Sequence, residues 1–300
     1  MDLSVVVPTL NGRERLARCL DGLAAHAPDA EVVVVNGPST DGTTGMVRDR
    51  EDVAVLVEVA DRNVNTARNA GLDRASGDAV AFLDHDLVVE DGWRDGVESG
   101  LAEADAATGP THQRLRAGVT TDSTETRTIK GREVTYFNGG NAAFSTDALD
   151  AADGFDEYLQ TGGARDLAHR LAGLDRSVSW APEMCVRGEF EPDGGVAATD
   201  WHWQYRSLAY RLTKNYGLRP TVAYRIVRHG LGDAASGLRE VFGGDAPASS
   251  WLGNGRDVFS GTFKGLAGGL RARFGDRSPR RNPRGRSARG DRAVAVYDRR

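Results

Sequence analysis

Asp78-Ala-Val-Ala-Phe-Leu-Asp-His-Asp86 decides the fold of this 300-residue chain. It opens as an apolar run, Ala79 to Leu83, bounded by Gly77 and ended by two carboxylates one residue apart, Asp84 and Asp86. A short apolar run cut off in this way predicts a buried central strand. Side chains alternate along a strand, so Asp84 and Asp86 are expected to point the same way at its carboxyl end. Ligands of open α/β sheets bind beyond the carboxyl ends of the strands. Two hard oxygen donors there suit Mg²⁺ or Mn²⁺, which take one or two protein carboxylates and leave positions for phosphate oxygens. Alone, the Asp-x-Asp pattern also fits a solvated acidic turn.

Upstream, the same pattern repeats. Leu3 to Pro8 reads as a buried strand, the turn Thr9-Leu-Asn-Gly12 follows, and Leu16, Leu20 and Leu23 place a helix over Arg13 to Ala25. Glu31 to Asn36 is a second strand and Val53 to Val59 a third, with helices after each. Strands alternating with short helices predict an α/β fold with a doubly wound, mostly parallel sheet and right-handed crossovers.

These motifs, in this order, resemble those of family 2 glycosyltransferases, which have the nucleotide-sugar-binding fold called GT-A. Val5-Val-Val-Pro-Thr-Leu-Asn11 resembles the family's first strand and nucleotide turn, and Val33 to Thr43 its second. Asn65-Thr-Ala-Arg-Asn-Ala-Gly71 resembles its helix, and Phe82-Leu-Asp-His-Asp86 its metal motif. Phe137 to Phe144 and Gly154-Phe-Asp156 resemble the acceptor-side strand and the segment after it. The resemblance spans roughly residues 3–175 and implies a metal-dependent, inverting hexosyl transfer from a nucleoside-diphosphate sugar to a hydroxyl acceptor. Asp84 and Asp86 are the expected metal ligands, with Mg²⁺ or Mn²⁺ as the ion. Pro8, Thr9, Asn11, Asn36, Ser39, Arg68 and Asp84 are the expected donor contacts, Arg68 through the match between guanidinium and phosphate. Turn capping and a surface ion pair are the plain alternatives for Thr9, Asn11 and Arg68.

The chain departs from the family twice. Asn36-Gly37 stands where the family usually has two aspartates, so the base that the donor carries is left open; an asparagine offers both a donor and an acceptor. The family's Glu-Asp-x-Asp-Leu-x-x-Arg-Leu, whose second residue is the general base, here reads Gly163-Ala-Arg-Asp-Leu-Ala-His-Arg-Leu171. The base position falls on Ala164. Either Asp166 takes over as the catalytic base, with His169 on the same helix face, or the base comes from elsewhere. The alternative for Asp166 is an acid favoured by the helix dipole.

Net charge is −5, yet residues 1–200 carry −18 and residues 201–300 carry +13. Lysine is confined to Lys130, Lys214 and Lys264. An acidic, lysine-poor shell points to a high-salt organism, although a GC-rich genome also favours Arg, Asp, Ala and Gly; with the resemblance it points to archaeal, haloarchaeal protein N-glycosylation enzymes. Cys19 and Cys185 make neither a disulfide framework nor a zinc cluster, which favours a reducing cytoplasmic setting. The N-terminal residues are already a strand pattern, so no secretory signal is expected.

Thr108 to Val134 reads as a polar excursion or β-ribbon, and Glu189 to Thr199 as a linker. The expected division is a GT-A domain over 1–190, a helical region over 200–275 and a basic tail over 276–300. Trp201 opens a helix to about Tyr216; His202 on it is a packing residue or a third metal ligand. A second helix, Arg219 to Phe242, is expected to break at Gly230 and Gly232. Phe259, Phe263, Leu266, Leu270 and Phe274 recur at helical spacing beside Lys264, Arg271 and Arg273, although Gly265, Gly268 and Gly269 weaken that helix. A basic amphipathic helix suits the surface of a membrane, and packing on the catalytic domain is the equal alternative; peripheral attachment at the cytoplasmic face, near a polyprenyl-phosphate-linked glycan acceptor, is the expectation. Nucleic acid is not an expected partner, because no recognition module accompanies the charge. Two other readings compete: a catalytically silent sugar-nucleotide-binding scaffold, motivated by Ala164, and a nucleotidyltransferase on a similar fold, against which stands the lack in this chain of a Gly-rich, Lys/Arg-bearing triphosphate loop near residue 10.

Overall fold

The computed structural model describes residues 1–113, 120–121, 123–188, 200–243 and 248–300. The chain runs β1 (Leu3–Thr9), α1 (Arg13–His26), β2 (Glu31–Asn36), α2 (Thr43–Arg48), β3 (Val55–Val59), α3 (Val64–Leu72), β4 (Ala79–Leu83) and β5 (Leu87–Val89). Next come α4 (Trp93–Glu103), β6 (Ala106–Thr108), β7 (Thr111–Gln113), β8 (Thr120–Thr121), β9 (Glu125–Ile129), β10 (Arg132–Tyr136) and β11 (Asn141–Ser145). Then follow α5 (Thr146–Ala152), α6 (Gly163–Gly173), β12 (Val178–Trp180), β13 (Val186–Gly188), α7 (Trp201–Tyr216), α8 (Pro220–Gly243), α9 (Ala248–Gly275) and β14 (Ala293–Asp298). Two compact units result: Met1–Arg127 with Glu133–Gly195 and Arg284–Arg300, and Thr128–Arg132 with Val196–Pro283.

In the first unit an eight-stranded sheet has the order β12-β6-β11-β4-β1-β2-β3-β14. Strands β4, β1, β2 and β3 are parallel, while β11 and β14 run antiparallel to their neighbours. Alternation sets the two faces. Val5, Val7, Val34, Ala81 and Leu83 pack with Leu16, Leu20 and Trp93 on one side. Val6, Val33, Val35, Val80 and Phe82 pack with Ala70, Phe144 and Leu167 on the other. Continuous apolar strands are the mark of a sheet covered on both faces. A second sheet, β5-β13-β7-β8, follows the acidic turn after β4.

The segment expected as a basic tail differs from that reading. Ala293–Asp298 pairs with β3 and closes the sheet edge, with Val296 and Tyr297 packed on opposite faces. Three of its arginines are held by acids of the same unit. Arg292, 1% exposed, pairs with Asp73 and Glu157; Arg286 pairs with Asp73 and Asp150; Arg300 pairs with Glu31. Part of the charge asymmetry in the sequence is therefore satisfied within one unit.

In the second unit α7, α8 and α9 enclose a core of Tyr205, Leu208, Ala209, Leu212, Tyr216, Val222 and Ile226. Helix α8 continues past Gly230 and Gly232 without a break. The glycines of α9 strengthen the fold instead of weakening it. A methyl group at Gly261, Gly265 or Gly269 would lie 2.2, 2.4 or 2.6 Å from the carbonyl oxygens of His202, Arg206 and Tyr210. This small-residue stripe lets α9 lie directly against α7, and the close packing offsets the helix propensity the glycines lose. His202 is a packing residue here, its Nδ1 2.7 Å from Ser260 Oγ. Phe259, Phe263 and Phe274 are left at 76%, 68% and 65% exposure. Among the described residues no helix is long and apolar enough to cross a membrane. The expected linker, 189–199, lies outside the described residues.

Candidate active site

A cleft of about 290 Å³ opens at the carboxyl ends of β1, β2, β3 and β4. Pro8, Thr9 and Leu10 line it from β1 and its turn, Gly37 from β2, Asp61 to Val64 from the turn after β3, and Asp84, His85 and Asp86 after β4. The two carboxylates do share a cleft, though not by strand alternation. Strand β4 ends at Leu83, and Asp84 to Asp86 form a turn closed by Leu87 N–H donating to Asp84 O at 3.0 Å.

Their surroundings differ. Arg68, buried on α3, donates from Nη2 to Asp84 Oδ1 at 3.0 Å. Asp84 Oδ2 packs on Gly140, where any side chain would come within 2.2 Å of it. Asp86 makes no side-chain hydrogen bond or ion pair among the described residues. Beneath the turn the buried Cys19 thiol is pushed up, first by burial and then by the Asp86 and Asp84 charges, so it stays protonated. Thr9 Oγ1 and Arg68 Nε are buried without hydrogen-bond partners among the described residues. Asp84, backed by Gly140, and the open Asp86 are hard oxygen donors that fit a Mg²⁺ or Mn²⁺ ion, which these two residues would hold.

Not every expected contact reaches the cleft. Asn36 is 1% exposed. Ser39 Oγ donates to its Oδ1 at 2.7 Å, and its Nδ2 donates to Thr44 Oγ1 at 3.0 Å. Asn11 N–H donates to Ser39 Oγ at 2.8 Å, while Asn11 Oδ1 accepts from Thr40 N–H. These three brace the turns after β1 and β2, and Gly37 lines the cleft beside them. Asp61, Arg62 and His85 were missed by the sequence reading. Asp61 and Arg62 follow the third parallel strand, so the rule that flagged Asp84 applies to them too.

Asp166, expected as the catalytic base, lies in the interior. Its carboxylate is 0% exposed and accepts from Arg170 Nε at 2.9 Å. Arg170, also 0% exposed, donates further to the carbonyls of Ala152 and Gly154. A general base must come within hydrogen-bond reach of an acceptor hydroxyl, whereas this pair ties α6 to the end of α5. His169 is buried against Tyr136, ring edge to face at 5.5 Å. Asp156, 0% exposed, accepts from Tyr158 N–H, and Glu157 is held by Arg289 and Arg292.

The parallel sheet, the cleft at its carboxyl edge and the acidic turn define a GT-A nucleotide-sugar fold. Residues 4–150, just under half of the chain, match the family described as Glycosyl transferase family 2. It is 31% identical over 228 residues to Glycosyltransferase AglE of Haloferax volcanii, a match covering 70% of this chain and 63% of AglE. The chain thus spans less than two thirds of that relative. Among solved structures, residues 1–349 of S. aureus TarS in complex with UDP-GlcNAc superpose with a TM-score of 0.56 at 21% identity, covering 75% of this chain and 70% of that one. Mannosyltransferase PcManGT of Pyrobaculum calidifontis, in complex with GDP-Man and Mn²⁺, gives 0.56 at 19% identity, covering 88% and 86%.

Proposed function

We propose that this chain transfers a sugar from a nucleoside-diphosphate donor to a hydroxyl acceptor, with inversion at the sugar carbon. One observation carries the reading: Asp84 and Asp86 meet Thr9, Asp61 and Arg62 in a single cleft at the carboxyl edge of the sheet. Asp84 and Asp86 would hold Mg²⁺ or Mn²⁺, which when bound offsets the charge developing on the departing diphosphate. Thr9 Oγ1, without a partner among the described residues, would bond the nucleoside. Asp61 accepts hydrogens from a base or ribose, and Arg62 attracts phosphate. Arg68 orients Asp84 through their ion pair.

The acceptor proposed is a polyprenyl-phosphate-linked glycan at the cytoplasmic face of a membrane. The support is the apolar surface of the second unit, where Phe259, Phe263 and Phe274 of α9 and Tyr224, Val227 and Leu231 of α8 are exposed. The silent-scaffold reading keeps one specific support, the absence of a carboxylate at Ala164 together with the burial of Asp166. The deciding experiment incubates the protein with nucleotide sugars and Mg²⁺ or Mn²⁺, and follows nucleoside-diphosphate release with and without lipid-linked acceptor. Acceptor-stimulated release supports transfer; donor binding with no release under any condition supports the scaffold.

A further inference from the structure

A second group of ligating side chains lies away from the acidic turn. Glu90 follows β5, His112 sits on β7 and Cys185 precedes β13, so three segments of the small sheet meet at one point. One ligand atom from each lies within 4.8 Å of the others. His112 Nδ1 is 3.3 Å from Glu90 Oε2 and 3.9 Å from Cys185 Sγ. Four-coordinate zinc, with bonds of about 2.3 Å to sulfur and about 2.0–2.1 Å to nitrogen or oxygen, places S and N about 3.5 Å apart and N and O about 3.4 Å apart. The side chains are therefore near the spacing that tetrahedral coordination requires. Arg187 Nη1 donates to Glu90 Oε1 at 3.0 Å, which turns Oε2 toward His112.

We propose that Glu90, His112 and Cys185 form a zinc-binding site, with water at the fourth position, that staples β5, β7 and β13 together. No spacing in the chain points to it, because two cysteines 166 positions apart show no zinc pattern and Glu90, His112 and Cys185 are scattered as well. The donor set separates it from the acidic cleft: thiolate and imidazole select zinc, while paired carboxylates select magnesium or manganese. The two lie apart as well. Four residues of extended chain place Glu90 about 13 Å along from Asp86. Arg187 acts as the outer partner that orients a ligating carboxylate.

The test uses the full chain, stripped with a chelator and then titrated with Zn²⁺ against a chromophoric competitor, with Co²⁺ as the spectroscopic probe. The expected result is one tightly bound equivalent of Zn²⁺ and a thiolate-to-cobalt charge-transfer band. Both should disappear in Cys185→Ser and in His112→Ala, and both should survive in Asp86→Ala. His112 is 42% exposed at its side chain, so its replacement leaves folding intact. Arg187→Ala should weaken Zn²⁺ binding about tenfold or more. Zinc affinity unchanged by Cys185→Ser and His112→Ala, or lost in Asp86→Ala, would overturn the proposal. So would a cobalt spectrum without a thiolate band.

Discussion

Arg68 and Asp84 form an ion pair of 3.0 Å between α3 and the turn after β4, the arginine buried at 8% side-chain exposure and the carboxylate open to the cleft at 40%. The pair fixes the orientation of Asp84 before any donor arrives, and it leaves Arg68 Nε without a partner. Replacing Arg68 by Gln removes a charged hydrogen bond of about 1.5–3 kcal/mol. Donor affinity, measured by calorimetry in the presence of Mn²⁺ well below the melting temperature, is expected to fall about tenfold to a hundredfold, and the melting temperature to fall by a few degrees. An unchanged affinity would place Arg68 outside donor binding.

Asp166 and Arg170 give the second prediction. Breaking a fully buried pair by neutralising one partner costs about 3–5 kcal/mol. Asp166→Asn is expected to lower the melting temperature sharply and, below that temperature, to retain turnover. A general base would behave oppositely, with turnover down by about two to four powers of ten and an unchanged melting curve. Thermal denaturation and rate measurements on one preparation separate the two.

Acid should destabilise the protein partly through Glu31. Burial works to raise the pKa of this carboxyl, yet hydrogen bonds from Ser4 and Ser76, joined by Arg300, hold it below the ordinary 4.5. In that window the unfolded chain binds more protons than the folded one, so stability is full above pH 4.5 and is lost as pH falls through the folded value. Glu31→Gln is expected to be less stable at neutral pH and to show a flatter decline below pH 4.5. Denaturant midpoints between neutral pH and pH 3 check this; parallel declines for both proteins would contradict it.

Membrane attachment is tested by exposed phenylalanines and not by truncation, since cutting the chain before α9 would also remove β14 from the sheet. Phe259→Ser with Phe263→Ser removes about 1.5–3 kcal/mol of apolar burial per site on a lipid surface. At high salt, where the Debye length is only about 3 Å, apolar insertion must carry the binding. Liposomes containing anionic lipid are expected to sediment the parent protein at low and high salt, and the double variant much less at high salt. Absence of the parent protein from the pellet at every salt concentration would contradict the attachment.

Much of the fold was readable because the main sheet announces itself locally. Runs such as Val5-Val-Val and Val32 to Val35 are apolar on both faces, and turns at Gly12 and Gly37 punctuate them. The acidic turn was legible for the same reason. What escaped depends on partners distant in the chain. Val294-Ala-Val-Tyr297 is a short apolar run suited to a strand, but its pairing with residues 55–59 lies across more than two hundred positions, and the surrounding arginines favoured reading it as a tail. The glycines of α9 look like helix breakers until α7 is laid against them. Asp166 keeps its place in the family pattern, and only burial beside Arg170 reveals that it holds helices together. Likewise Asn36 resembles a reader of bases until Ser39 and Thr44 are seen to occupy its amide.

The central claim is that Asp84 and Asp86 hold a divalent ion needed for nucleotide-sugar binding. The most direct measurement is the melting temperature of the parent protein and of Asp86→Ala across a panel of nucleotide sugars, each with and without Mg²⁺ or Mn²⁺. A ligand at a hundred times its Kd adds about 2.7 kcal/mol of stability, which is readily seen as a shift. At least one donor is expected to raise the melting temperature of the parent protein only when the ion is present, and to leave Asp86→Ala unmoved. An equal rise in Asp86→Ala, or a rise in the parent protein that is independent of the ion, would contradict the claim.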